Sequence, residues 1–345
     1  MMLAEYFSSD YGEARSKFLG ACGATDVQVE SFQNPNTGPK GEPLYTDVAN
    51  LGPREANVVL VLVSGTHGVE GFCGSGIQTG LLREGLASCL KDDQRVVMIH
   101  AMNPYGFAHL RRVNEDNVDL NRNFVDHSKP HPENPDYDAL ANVIAPKTYW
   151  PIASGVSLAR LRFHQVIHGK AALQAAITSG QYAHPQGLFY GGRCAVWSNK
   201  TFATIVQREL ADAARVVFVD FHTGLGPYGY GEVITNDLPG SPAYERANRW
   251  WGGRVTTTRN GGAVSADLTG PIKIAMSMML PKSEVTAVSL EFGTFSAVTV
   301  FRAMQAENWL HHCGGADHPR AAKIKTEIRR VFYPDVDDWK ALVWR

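Results

Sequence analysis

The stretch Val58 to Glu70, VVLVLVSGTHGVE, constrains this chain more than any other. Six apolar residues, mostly β-branched and without polar alternation, describe a strand buried on both faces, as in an α/β sheet covered by helices. Small residues then let the chain turn sharply. At that turn stand His67 and Glu70, three residues apart. So spaced, an imidazole and a carboxylate can reach one divalent ion, and the end of a buried strand in such a sheet is where ligands bind. A lone His-x-x-Glu pair arises easily by chance, so the reading depends on partners at other strand ends.

Three more segments have the same buried-strand composition. Residues 95–101 (RVVMIHA) form one. Residues 215–222 (RVVFVDFH) end at a second imidazole, His222, and residues 286–291 (TAVSLE) end at a carboxylate, Glu291. Apolar periodicity predicts helices over 3–22, 74–90, 157–179, 201–213, 244–251, 298–312 and 320–332. Two short strands are expected near 27–32 and 43–50. The five prolines of 125–151, the aromatic and glycine-rich 182–198 and the Gly/Thr-rich 256–271 read as loops. Strands and helices alternate without a linker-like break or a repeat. The expectation is a single α/β domain over residues 1–345, with a mixed, mostly parallel central sheet, helices on both faces and long insertions framing a pocket.

His67, Glu70 and His222 make a His₂Glu set that leaves a coordination position open, the arrangement of a hydrolytic zinc site. Such a metal brings the pKa of a coordinated water toward ~7 and polarises the bond to be cleaved. Glu291 is the candidate for a carboxylate that moves the water's proton without binding the metal. Asp119 and Asp220 lie beside the key residues and are suited to orienting an imidazole, although Asp220 reads first as a structural acid. Arg112 and Arg122 offer positive charge, one for a developing oxyanion and one for a substrate carboxylate.

Other readings are weaker. His164 and His168 are spaced for one helical face but lack an accompanying acid, and Pro130 between His127 and His131 denies that pair a shared helix. The turn Gly71-Phe72-Cys73-Gly74-Ser75-Gly76 precedes no Gly-Lys-Ser/Thr, and no Gly-x-Ser-x-Gly sits at a strand-to-helix turn. With 44% hydrophobic residues, 19% charged, a net charge of −1 and neither a basic block nor a long apolar run, no nucleic-acid or membrane partner is expected. The start of the chain shows no signal-peptide pattern. Five scattered cysteines without a Cys-x-x-Cys read as buried thiols of a reducing compartment, which makes the expected location cytoplasmic.

Taken in order, SGTHGVEG, NEDNVDLNRNF, DFHTG and SLEFGT span roughly residues 58 to 295. This succession resembles the zinc carboxypeptidase superfamily and, within it, a bacterial branch of uncharacterised carboxypeptidase-like proteins related to aspartoacylase-type deacylases. The resemblance implies one zinc ion held by His67, Glu70 and His222, with Asp119 steadying His67. It implies that Asn121 and Arg122 hold the substrate's free carboxylate, that Glu291 is the general base and that Arg112 polarises the scissile carbonyl, with Arg111 the alternative. The family's mobile tyrosine has no clear counterpart; Tyr190, Tyr228, Tyr230 and Tyr244 are candidates. The implied activity is zinc-dependent amide hydrolysis, foremost by a carboxypeptidase acting on small peptides or peptide-like substrates with a free carboxylate. An N-acyl amino acid deacylase using the same site is the alternative, and a non-catalytic zinc-binding protein of the same fold is a third.

Overall fold

Val58–Val63 forms the strand its composition predicts, and its position in the sheet explains that composition. The computed structural model describes residues 3–148 and 151–345. Its strands are β1 Gln28–Thr37, β2 Pro43–Leu51, β3 Val58–Val63, β4 Gln94–His100, β5 Arg215–Tyr228, β6 Gly231–Thr235, β7 Val255–Thr257 and β8 Glu284–Gly293. They make one eight-stranded sheet in the order β1-β2-β4-β3-β5-β8-β6-β7. The four central strands β4, β3, β5 and β8 are mutually parallel, while β1, β2 and β6 join through antiparallel pairings. The mixed α/β sheet expected from the sequence is thus the one observed.

Strand alternation splits the core into two layers. On one face Val59, Val61, Val63, Val97, Ile99, Val216, Phe218 and Ala287 pack under the helices Trp197–Leu210 and Ile272–Met279. On the other, Leu62, Val96, Met98, Val219, Phe221, Val288 and Phe292 pack under Tyr11–Ala24 and Gly71–Arg83. Each such side chain fully withdrawn from water contributes roughly 1.5–3 kcal/mol. Because β3 and β4 are buried on both faces, neither can show polar alternation. A further apolar cluster joins Val69 to helices Pro135–Ile144, Ala297–Trp309 and Ala321–Phe332, beside the C-terminal ends of the central strands.

Several predicted boundaries move, for local reasons. The helix expected over 3–22 begins at Tyr11, where Asp10 caps the Glu13 N–H. That over 157–179 is two helices, Pro151–His168 and Lys170–Thr178, parted at Gly169 with φ +90°. The proline-rich 125–151 contains a helix, Pro135–Ile144, with proline in its first turn and Asn134 as cap, a placement proline favours. The thiols are corrected too: Cys22 and Cys73 are buried, whereas Cys89, Cys194 and Cys313 are exposed. Among the described residues no helix is long and apolar enough to cross a membrane.

Candidate metal centre

From β3 the chain passes to β4 on one side, and β5 lies on the other. The β3/β5 boundary is therefore a point where strand order reverses, and in open α/β sheets ligands bind at the C-terminal strand ends of such a point. His67 lies four residues beyond β3, and His222 lies in β5, two residues past the pairing of Val63 with Asp220. In the next strand Glu291 is the register partner of His222. Parallel pairing thus delivers three separate segments to one place.

The loop between β3 and the helix Gly71–Arg83 is pinned by backbone. The Gly68 and Val69 N–H groups donate to the carbonyls of Arg112 and Arg111 at 3.1 and 2.8 Å. A Cβ on Gly68 would lie 2.1 Å from the Gly106 carbonyl carbon, so only glycine allows this approach. Glu70, at the start of the helix, is 1% exposed and turns its carboxylate between the two imidazoles. His67 Nδ1 is 3.0 Å from Glu70 Oε1, and His222 Nδ1 is 3.0 Å from Glu70 Oε2.

The far edges of both rings are engaged by acids. His67 Nε2 is 3.0 Å from Asp119 Oδ1, and His222 Nε2 is 2.6 Å from Asp220 Oδ2. Asp119 also accepts the Asn121 N–H at 3.0 Å, and Asp220 accepts the Thr66 hydroxyl at 2.7 Å, so neither carboxylate is free to swing. Both Nδ1 atoms consequently point inward. His67 Nδ1 is buried, and the Glu70 oxygen 3.0 Å from it is too poorly aligned to be a hydrogen-bond acceptor, so the two atoms stand as neighbouring donors.

These donors fit a divalent metal. One ligand atom from each of His67, Glu70 and His222 lies within 4.8 Å of the others, and this is the one such cluster among the described residues. Two donors on a tetrahedral zinc stand about 3.3 Å apart, given Zn–N and Zn–O near ~2.0–2.1 Å. The 3.0 Å separations match that spacing closely. Burial would raise the Glu70 carboxyl, but His67, Arg112 and His222 outweigh it and hold the group well below the usual carboxylate range, ready to ligate.

Glu291 accepts the Leu225 N–H at 3.0 Å and keeps intermediate exposure, within reach of a substrate. Desolvation by the surrounding protein, followed by the Glu70 charge, pushes it up to about 7. Arg112 reaches the centre: Nη1 pairs with Glu70 Oε1, Nη2 lies 2.9 Å from His67 Nε2, and Nε lies 3.4 Å from Asp119 Oδ2. Arg111 turns away, bonding Glu307 at 2.8 Å and Asn117 at 2.9 Å.

Asn121 sits 3.4 Å from His222 Nε2 and accepts the Ile272 N–H at 3.0 Å. Arg122 is buried and partly committed: Nε and Nη2 donate to the Thr178 carbonyl and Nη1 to that of Asn121. Nη1 also pairs with Asp119 Oδ1 at 3.6 Å, so the guanidinium is tied to the acid that steadies His67. The tyrosine candidates scatter. Tyr190 is buried, Tyr228 bonds Asp338 at 3.3 Å, Tyr230 is exposed and Tyr244 packs on the core. His127 and His131 meet at 3.0 Å across their loop despite Pro130, and His164 and His168 share a helix as spaced.

Asp220, suited in the sequence to orienting an imidazole but read first as a structural acid, holds His222.

A family model described as "Protein of unknown function (DUF2817)" matches residues 7–345. No curated protein matches the chain. Among solved structures it is similar to a carboxypeptidase A from Helicoverpa armigera, with 12% identity, 95% of this chain and 75% of that one covered, and a TM-score of 0.47. It is similar also to a metallo-carboxypeptidase from Burkholderia cenocepacia (12% identity, 84% and 61% covered, TM-score 0.45). A third is an aspartoacylase family protein from Mesorhizobium loti (13% identity, 82% and 66% covered, TM-score 0.38).

Proposed function

We propose that this chain, which belongs to the family described as protein of unknown function DUF2817, is a zinc-dependent hydrolase of amide bonds, foremost a carboxypeptidase of small peptides. The observation that supports it is the convergence of His67, Glu70 and His222, with both Nδ1 atoms 3.0 Å from the Glu70 carboxylate and Glu291 paired in register with His222. The zinc, held by those three residues, would polarise the scissile carbonyl and acidify a water.

The chain's own residues carry the rest. Asp119 and Asp220 lie against the Nε2 edges of the two imidazoles and keep their Nδ1 atoms turned inward. Glu291 removes the proton of the attacking water and passes it to the leaving amine, work suited to a carboxyl that burial makes more basic than an exposed one. Arg112 offers N–H groups to the oxyanion that develops on the carbonyl. Asn121 and Arg122 anchor a free carboxylate and set the reacting bond over Glu291.

Glu291→Gln keeps the shape and removes the base. The expected result is a fall in kcat of about 10²–10⁴-fold with zinc stoichiometry unchanged; near-normal turnover would exclude Glu291 as base. A panel of short peptides with free carboxyl ends set against N-acyl amino acids separates a peptidase from a deacylase. Zinc-loaded protein inert toward both classes would leave a non-catalytic zinc protein.

A further inference from the structure

A surface helix ordinarily directs its apolar stripe inward; the helix Pro151–His168 directs one outward as well. Toward the protein it buries Ser157 and Leu161, and Leu161 joins Leu140, Val143 and Ala176 of the two neighbouring helices. On the opposite side stand Val156, Ala159, Arg160, Phe163, Val166 and Ile167, all exposed, at the three- and four-residue steps that share one helical face. Val156, Phe163, Val166 and Ile167 are 53%, 69%, 83% and 58% exposed. Single exposed apolar residues are ordinary, but a continuous row of four on one face marks a contact surface.

Charge indicates what covers it. No Asp or Glu occurs over residues 139–208, a run of 70 in a chain of 345 with 34 acids. Composition alone would place about seven there. Lys147, Arg160, Arg162 and Lys170, on or beside the helix, are exposed. Among the described residues none of the four forms an ion pair within 4.0 Å. The rest of the chain is correspondingly acidic, since the whole carries only −1. A protein so divided turns its cationic side to an anionic partner and its acidic side away. Nucleic acid offers the aliphatic side chains no apolar phase. A twofold pairing with a second copy would set Arg160 and Arg162 against themselves, with no acid on the helix to neutralise them. The headgroup layer of an anionic bilayer takes both components at once. Phenyl and branched side chains sink to the acyl boundary, while the arginine stems lie along them and keep their guanidinium groups among the phosphates.

We propose that the outer face of Pro151–His168 docks this protein on an anionic phospholipid surface, the helix lying flat in the headgroup layer. The expectation of no membrane partner rests on the lack of a long apolar run, which bears on crossing a bilayer and not on lying against one. The inference uses no residue of the metal centre and is independent of the hydrolase reading.

The test is flotation of the full chain with vesicles of phosphatidylcholine alone and of phosphatidylcholine mixed with phosphatidylglycerol. The apparent affinity is expected to be at least about tenfold higher on the anionic vesicles, and to fall as added salt screens the contact. Phe163→Ser with Ile167→Ser removes apolar anchors, and Arg160→Glu with Arg162→Glu reverses the charge. Each pair is expected to weaken binding to the anionic vesicles about tenfold or more. All four positions are exposed, so both variants are expected to keep the thermal midpoint of the wild type. The wild-type comparison of the two lipids requires no variant, so misfolding of one leaves the proposal testable. Equal binding to both vesicles, binding to neither, or variants that float like the wild type overturns it. So does a wild-type dimer in solution that Phe163→Ser with Ile167→Ser splits, since a second copy would then cover the face.

Discussion

Asp119 and Asp220 do at the residue scale what the inward-facing donors cannot do for themselves. Each takes the Nε2 edge of one imidazole, at 3.0 and 2.6 Å, and fixes which nitrogen is left for a metal. Asp119→Asn and Asp220→Asn are each expected to weaken zinc binding about 10–100-fold, read by competition with a chromophoric chelator. Unchanged affinity in both would mean that the rings are oriented by something else. The residues legible in the sequence are those whose type and spacing carry chemistry on their own: His67, Glu70, His222, Glu291 and the Asp-x-Asn-Arg of 119–122. Asp220 is legible as an acid suited to orienting an imidazole but not as the partner of His222 in particular, because that contact depends on which way a strand residue faces. The commitment of Arg122 to the Thr178 carbonyl is not legible at all, since it arises from an insertion folding back onto the site.

Among the elements, the segment from β3 into the helix Gly71–Arg83 carries the most constraint. It supplies two of the proposed ligands within four residues, and Gly68 passes so near Gly106 that a methyl group has no room. Gly68→Ala must push apart two backbone segments, which is expected to cost about 3 kcal/mol or more and to weaken zinc binding together with the chemical-denaturation midpoint. A variant with wild-type midpoint and affinity would show that the loop is softer than its contacts imply. β3, β4, β5 and β8 are foreseeable because burial on both faces selects long apolar, β-branched runs. The short β6 and β7 and the helix Ile272–Met279 escape notice for the opposite reason. Three to eight residues hold too few turns of a pattern, and their place is set by tertiary packing, of β6 and the helix against β8 and of β7 against β6, rather than by local preference.

Across the whole molecule, function follows from where the sheet changes direction. β3, β5 and β8 run parallel and side by side, so their C-terminal ends bring His67, Glu70, His222 and Glu291 together although more than two hundred residues separate the first from the last. The surrounding helices and the 125–198 insertion frame that end. The direct test of this assembly is zinc K-edge X-ray absorption on the full chain given one equivalent of zinc. The account predicts one tightly held ion with two imidazole nitrogens and a carboxylate oxygen at about 2.0–2.2 Å, and loss of one imidazole in His67→Ala and in His222→Ala. A spectrum with no imidazole shell, or one unaltered by both substitutions, would contradict it.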